Sequence, residues 1–287
     1  MRIIDPLTYF FLKVVKKYIS NQSYKKRFKI SQIISSLLYN HLPIRKKLAK
    51  KNIKQAFPEK SDHWVDSTLR SCYQISVHHF LKFISFPKSW NNAKYEIKGL
   101  KILDGAMKQN RGVILLAAHF GPWELMGAWL GNNGYHLTGV AQKQKNAGAN
   151  TFFVYQREKS GADHIYRKES FDKMYKILER KKILVLISDQ DAKKKGVFVD
   201  FLGTSASSPK GAAIFHKNTN APLVVGTCIE KDHNHYIIEF LPVNPPKNTV
   251  KSITQTYTSI FAQFILKYPK QYFWFHDRWK TKNDEKN

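Results

Sequence analysis

The residues of this chain best suited to chemistry are His119 and Glu124, which stand five positions apart around a Gly-Pro pair. An apolar run over 113–118 ends at the histidine, and a new apolar segment starts after Pro122. This order predicts a buried strand, a tight turn and a helix start, where α/β folds gather their chemistry. We predict that His119 is a general base for a hydroxyl group and that Glu124 holds its other imidazole nitrogen. Gly121 permits close approach of backbone or ligand.

Other charged residues could complete such a site. Asp189 belongs to the run Ser188-Asp189-Gln190-Asp191 after an apolar segment, and carboxylates at a strand end either cap a helix or face the site. Arg157 could bind a phosphate bidentately, as arginines do, and Arg278 in the aromatic and basic tail over 268–280 could reach an anionic ligand. The spacing of histidines, cysteines and carboxylates indicates no metal site.

The elements that must position these residues follow from periodicity. Strand-like and helix-like runs alternate from about residue 95. We predict strands at Val113–Ala118, Leu137–Ala141, Ile183–Ser188, Leu223–Ile229 and Tyr236–Leu241. We predict helices over 122–133, 169–181, 209–218, with Ser207 or Ser208 as N-cap, and 250–268. The alternation predicts an α/β fold with a largely parallel central sheet flanked by helices. It divides the chain into a helical region, 1–94, packed on a core, 95–287.

The N-terminal region has the pattern of helices that lie on a membrane. Over 6–20, apolar residues recur at helical spacing beside a stripe of lysines, and 30–41 repeats the pattern. An aromatic-rich helix with lysines on its polar side suits the headgroup layer of an anionic membrane. The alternative is an ordinary helix that packs on the domain. Lysines interrupt every long apolar stretch, so we expect no spanning helix and no secretory signal.

The composition bounds the partners. The 287 residues carry a net charge of +27, and such a surface attracts nucleic acid, anionic lipid or an acidic protein. Residues 1–60 hold fifteen basic and two acidic side chains, almost half of that excess. The two cysteines, Cys72 and Cys228, lie in apolar segments, which excludes a disulfide framework, suits a reducing compartment and predicts small buried side chains.

Together these motifs resemble the lipid A biosynthesis (late) acyltransferases, a branch of the lysophospholipid acyltransferase superfamily. The resemblance covers nearly the whole chain. It rests on 52–59, His119-x4-Glu124, Arg157, 188–191, 197–203, the helix opened by Pro209 and the tail over 269–280.

The resemblance implies acyl transfer from an acyl-carrier-protein thioester to a hydroxyl of a lipid A precursor, an anionic glycolipid, at the cytoplasmic face of the inner membrane. It implies that His119 is the base, that Glu124 orients it, and that Arg157 and Asp189 are linked to the site. Gly121 and Arg278 are further candidates for substrate binding. No metal or cofactor is expected, since the acyl donor is a co-substrate. Family members begin with a spanning segment, which Lys13, Lys16 and Lys17 interrupt here, so an in-plane or peripheral attachment is expected.

Several alternatives stay open at this point. The acceptor could be a lysophospholipid or an aminolipid, and the donor could be coenzyme A. Water in place of the lipid hydroxyl would make the protein a thioesterase. A non-enzymatic basic protein that binds nucleic acid or membrane would explain the charge but leaves His119 and Glu124 without a role, and we expect no nucleic-acid partner. His119 could also be a structural residue of the core.

Overall fold

A seven-stranded sheet organises the protein. The computed structural model describes residues 4–169, 171–232 and 234–283. The strand order is β1-β9-β8-β2-β5-β3-β4, parallel throughout except for the antiparallel pair β8–β9, and β6 and β7 form a separate antiparallel hairpin. The strands are β1 Lys94–Lys98, β2 Val113–Ala117, β3 Leu137–Ala141, β4 Ala162–Tyr166, β5 Ile183–Ile187, β6 Val197–Phe201, β7 Thr204–Ser208, β8 Leu223–Asp232 and β9 His235–Pro242.

Helices cover both faces of this sheet. They are α1 Ile4–Ser20, α2 Tyr24–Asn40, α3 Lys46–Ala56, α4 Asp62–Ile84, α5 Lys88–Asn91, α6 Leu100–Lys108, α7 Trp123–Asn132, α8 Ala147–Glu158, α9 Phe171–Glu179, α10 Gly211–Thr219 and α11 Val250–Lys267. Several begin at side-chain caps that the sequence supplies: Ser61 accepts a hydrogen bond from the backbone N–H of Trp64 at the start of α4, and Asn146 does the same for Ala149 in α8.

The central strand β2 shows how the two layers are built. All five of its residues are buried. Successive side chains of a strand point to opposite faces, so Ile114 and Leu116 join one apolar cluster while Val113 and Leu115 join the other. A strand that is covered on both faces reads as a continuous apolar run, which is why the sequence signal at 113–118 is so clear.

The α/β fold with a mostly parallel sheet is confirmed, and each predicted strand is present. Two short edge strands, β1 and β4, were not predicted, because their sequences are largely polar and only partly buried. The β6–β7 hairpin was also not predicted. The predicted cap of the helix after Pro209 is wrong: Ser207 and Ser208 lie in β7, and α10 begins after Lys210 without a side-chain cap.

The first four helices, α1 to α4, precede the first strand of the sheet. The predicted division falls inside β1 and stays a prediction. Helix α1 packs along α8, and the backbone of Gly148 approaches that of Asp5 so closely that a Cβ there would lie 1.8 Å from the Asp5 carbonyl oxygen. Among the described residues, no helix is both long enough and apolar enough to cross a membrane.

Candidate active site

The candidate site lies at the carboxyl ends of β2 and β5. These strands pair in parallel with Ala117 opposite Ile187. The register continues past their ends, because the N–H of Ser188 donates to the carbonyl of Ala117 at 2.9 Å. His119 and Asp189 are therefore matched positions beyond neighbouring strands, which brings two side chains 70 residues apart into contact.

The His119–Asp189 pair is the centre of the site. His119 Nδ1 lies 2.8 Å from Asp189 Oδ1, and the Asp189 side chain is 2% exposed against 25% for the imidazole. An ionised carboxylate can only accept a hydrogen bond, so Nδ1 carries a proton, and in the neutral imidazole Nε2 keeps its lone pair. The amide nitrogen of Gln190 lies 3.4 Å from Nε2.

Each member of the pair holds the other in its charged form. Burial alone would lower the pKa of His119, but the carboxylate of Asp189, and beyond it that of Glu124, outweigh burial and raise it. Burial alone would raise the pKa of Asp189, but the imidazole and the guanidinium of Arg278 hold it below its ordinary value. The site thus stabilises an imidazolium beside a carboxylate.

Glu124 makes a different contact from the one predicted. Its carboxylate is bound by Arg157, with Nη2 2.6 Å from Oε1 and Nε 3.2 Å from both oxygens. The hydrogen bond on His119 Nδ1 comes from Asp189, so Glu124 acts on the imidazole only through its charge. The local reason is that Glu124 lies in the first turn of α7, facing the end of α8 where Arg157 stands.

The turn that carries His119 is fixed by the tail of the chain. Phe120 pairs with Tyr272 in an antiparallel bridge, the N–H of Phe273 donates to the carbonyl of His119 at 2.9 Å, and the N–H of Gly121 donates to that of Gln271 at 2.8 Å. Gly121 has φ of +57°, and a Cβ there would lie 1.8 Å from the carbonyl oxygen of Cys228. Only glycine fits this turn, because both its dihedral and its backbone contact exclude a side chain.

Two cavities meet at His119. The apolar cavity has a volume of about 400 Å³ and is lined mainly by α4 and by the segment 119–125 at the start of α7. Its apolar walls include Ile75, Val77, Phe80, Phe83, Phe86 and Phe153. The polar cavity has a volume of about 730 Å³, and apolar residues such as Leu115, Leu130 and Val185 also line it. Its polar and charged lining residues include Lys143, Lys145, Asn146, Asp163, His164 and Arg167. His119, Trp123, Glu124, Gln144 and Arg157 line both.

The structure brings together five of the six predicted site residues. His119, Gly121, Glu124 and Arg157 line the cavities, and Asp189 lies directly behind the imidazole. Arg278 is the exception.

Arg278 does not line either cavity. It is 1% exposed, donates to the carbonyl of Ser207 at 2.6 Å and to the hydroxyl of Ser208, and stacks on the ring of Phe201. The expectation that Arg278 reaches an anionic ligand is therefore corrected. Its guanidinium lies in the protein interior, where its charge lowers the pKa of Asp189.

Sequence reasoning missed Gln190 and the aromatic wall. Gln190 belongs to the run Ser188-Asp189-Gln190-Asp191, but the sequence does not show that this side chain faces the imidazole of His119. Phe80 and Phe83 are three residues apart on α4, and this spacing could have indicated that both rings lie on one face of the helix. Both cysteines are buried as predicted, and burial raises the pKa of each thiol, so neither is a nucleophile.

Comparison with known proteins points in one direction. The family model described as bacterial lipid A biosynthesis acyltransferase matches residues 3–281. The phosphatidylinositol mannoside acyltransferase of Mycobacterium tuberculosis is 26% identical over 187 residues, which cover 64% of this chain and 59% of that protein. The lipid A biosynthesis palmitoleoyltransferase and lauroyltransferase of Escherichia coli (strain K12) are 24% and 23% identical over 257 and 258 residues, covering 87% of this chain and 83% of each relative.

Proposed function

Because the chain belongs to the bacterial lipid A biosynthesis acyltransferase family, we propose that it transfers a fatty acyl chain from an acyl-carrier-protein thioester to a hydroxyl of a lipid A precursor. The observation that carries this proposal is the His119–Asp189 pair, whose second imidazole nitrogen, Nε2, lies where an apolar and a polar cavity meet. One cavity suits a hydrocarbon chain and the other a polar headgroup. A hydroxyl and a thioester brought from the two sides would meet at Nε2.

The chemistry follows from the protonation of this pair. Nε2 of His119 takes the proton of the acceptor hydroxyl while the hydroxyl oxygen attacks the carbonyl carbon of the thioester. The tetrahedral intermediate then expels the thiolate, which takes the proton back from the imidazolium. Asp189 stabilises the imidazolium between these two steps. Base catalysis of this kind contributes on the order of 10²–10⁴-fold, and no acyl-enzyme is needed.

The oxyanion of the intermediate needs hydrogen-bond donors. The N–H of Gly121 is already bound to the carbonyl of Gln271. The remaining candidates are the guanidinium of Arg157, the amide of Gln190 and the first-turn N–H groups of α7. Glu124 fixes Arg157 by its bidentate contact, so we assign Glu124 the role of positioning the arginine rather than the imidazole.

The two cavities divide the substrates. We assign the acyl chain to the apolar cavity, because its aromatic and aliphatic walls replace water around a hydrocarbon. We assign the acceptor headgroup to the polar cavity, whose basic lining residues Lys143, Lys145 and Arg167 suit a phosphate. The same basic side chains would speed the encounter with an acidic carrier protein.

Attachment to the membrane is proposed through α1 and α2. The exposed apolar residues of these helices and of the loop that follows are Ile4, Leu7, Phe10, Phe11, Val14, Tyr18, Ile33, Leu37, Leu42 and Ile44. Exposed apolar rows on helices that also carry lysines suit the headgroup layer of an anionic bilayer. We therefore propose that the protein lies on the cytoplasmic face of the inner membrane.

The acceptor has a second candidate. The mannoside acyltransferases of mycobacteria match 61–64% of this chain, so another glycolipid acceptor, or a lysophospholipid or aminolipid, is the alternative. A mass-spectrometric comparison of lipids from strains with and without this protein decides between them, since one species should lose one acyl chain.

The activity itself is tested with purified protein, an acyl-carrier-protein thioester and the extracted acceptor. His119→Ala should abolish transfer. Transfer at the wild-type rate in that variant would overturn the mechanism. Replacing the carrier thioester with a coenzyme A thioester in the same assay identifies the donor, and hydrolysis at the same rate without acceptor would favour a thioesterase.

A further inference from the structure

A third cavity lies at the turn between α1 and α2, away from the candidate active site. This turn cavity has a volume of about 460 Å³ and shares no lining residue with the apolar or polar cavity. Its lining is almost entirely polar. It is formed by Ser20, Asn21, Gln22, Ser23, Tyr24, Arg27, Lys88, Asn91, Asn92 and Asn234. This lining contains two cationic side chains, Arg27 and Lys88, and no carboxylate.

Arg27 is the central feature of the turn cavity. The residue is 6% exposed, and one of its nitrogens donates to the carbonyl of Gln22 at 2.7 Å. In the part of the chain that the structure describes, its guanidinium forms no ion pair with a carboxylate. Burial lowers the pKa of Arg27, and only two tyrosines oppose that effect. A buried charge without a partner is costly, so a guanidinium in this position favours an anion beside it.

A second buried base, Lys82, lies close to Arg27. Lys82 is 3% exposed, and burial lowers its pKa to about 7, an effect that the nearby guanidinium of Arg27 reinforces. The neighbouring carboxylate, Glu230, is already engaged by His78 and His79, with 2.9 Å between His79 Nε2 and its Oε2. The charge of Glu230 raises the pKa of Lys82, and among the described residues this carboxylate forms no ion pair with Arg27.

The mouth of the turn cavity supplies further donors. Lys88 reaches across it from α5 and donates to Oδ1 of Asn21 at 2.8 Å. The hydroxyl of Ser20 is buried and has no hydrogen-bond partner among the described residues. A guanidinium, an ammonium and a free hydroxyl around one polar cavity form a donor set that matches the oxygens of a phosphate group.

We propose that the turn cavity is a binding site for a phosphate group, held by Arg27 and Lys88 with the hydroxyl of Ser20. The site begins where α1 ends, next to the exposed apolar row of that helix, so the phosphate of a lipid headgroup and a free phosphate are both sterically possible sources. The proposal is independent of the chemistry at His119, because the cavities share no residue.

The test measures binding of inorganic phosphate to the full-length protein by equilibrium dialysis at constant ionic strength. The variants Arg27→Gln and Lys88→Gln should weaken binding by at least tenfold and by about threefold to tenfold, respectively, since a charge-assisted hydrogen bond is lost in each. Lys25→Gln removes the same charge from an exposed position of α2 outside the cavity, so it should leave the affinity unchanged.

The same variants are compared with dihexanoyl phosphatidylglycerol below its micelle concentration, using dihexanoyl phosphatidylcholine as a second headgroup. Binding of inorganic phosphate that Arg27→Gln removes supports a site for free phosphate, and binding confined to a lipid supports a headgroup site. Equal affinities of wild type and Lys88→Gln for every probe, or an equal loss in Lys25→Gln, overturn the proposal. Lys88 is exposed, so its variant decides the matter even if Arg27→Gln does not fold.

Discussion

His119 and Asp189 stand at matched positions beyond two adjacent parallel strands, with 2.8 Å between imidazole and carboxylate. The pairing of Ala117 with Ile187 and the hydrogen bond from Ser188 to Ala117 extend the sheet register to these side chains. The geometry of the pair therefore follows from the register of the sheet.

The first prediction concerns Asp189. Asp189→Asn keeps the size of the side chain but removes the charge that raises the pKa of His119. Burial would then dominate, so the acidic limb of the plot of kcat/KM against pH should move to lower pH, while kcat should fall by at least about 10²-fold. Steady-state kinetics between pH 5 and 9 measure both. An unchanged limb would contradict the assignment of Asp189 to the imidazole.

The second prediction separates the two carboxylates. If Glu124 acts through Arg157, Glu124→Gln and Arg157→Gln should each lower kcat by about 10–10³-fold, and the double variant should be little worse than either. The acidic limb of the pH profile should move less in Glu124→Gln than in Asp189→Asn, because only Asp189 is hydrogen-bonded to the imidazole. A larger shift in Glu124→Gln would restore the role predicted from the sequence.

The third prediction is a pH dependence of stability. His119 has a raised pKa in the folded state, so its contribution is fully present below the ordinary value of 6.5 and is lost as pH rises through the folded pKa. Asp189 has a lowered pKa, so its contribution is present above 3.8 and is lost as pH falls through the folded pKa. The loss of unfolding free energy in His119→Ala should therefore be larger at pH 5 than at pH 9. Urea unfolding measures it, and equal losses at both pH values would refute the coupling.

The fourth prediction tests the turn. Gly121→Ala places a Cβ 1.8 Å from the carbonyl oxygen of Cys228 at a φ of +57°. The dihedral alone costs about 1–3 kcal/mol, and the contact adds to it, so both stability and activity should fall. Gly105 offers a matched control in α6, since a Cβ there meets nothing within 4 Å. Gly105→Ala should be neutral or stabilise by up to about 1 kcal/mol in the same urea unfolding experiment.

The fifth prediction concerns the membrane. Phe10 is 67% exposed in the apolar row of α1, and Phe10→Ser should weaken binding to anionic vesicles by roughly tenfold to a hundredfold, the equivalent of about 1.5–3 kcal/mol of lost apolar burial. Phe171 on α9 is 66% exposed outside that row, so Phe171→Ser is its control and should bind like the wild type. Co-sedimentation with vesicles measures both. Equal loss in the two variants would argue against α1 as the membrane-binding element.

The local part of the site could be predicted from the sequence. The strand before His119, the tight turn at Gly121 and the helix start after Pro122 follow from apolar runs and backbone preferences within about twelve residues. The same local signals predicted β2, β3, β5, β8 and β9. Polar edge strands such as β1 carry no such signal, because their pattern is indistinguishable from that of a loop.

The partner of each charged residue could not be predicted in this way. Glu124 is the carboxylate nearest to His119 along the chain, whereas Asp189 is 70 residues away and is brought there because β5 pairs with β2. The order of strands in the sheet depends on how the helices pack on its two faces. The periodicity of apolar residues along the sequence does not predict that order.

The sequence by itself determined that this chain forms an α/β sheet with a histidine at the end of a buried strand and a basic helical N-terminus. It did so because burial and turn formation depend on neighbouring residues. Only the tertiary structure decided that Asp189 binds the imidazole, that Glu124 binds Arg157 and that Arg278 is an interior residue. The sequence shows which residues are charged, but not which of them lie in contact. That depends on distances of a few ångströms between segments far apart in the chain.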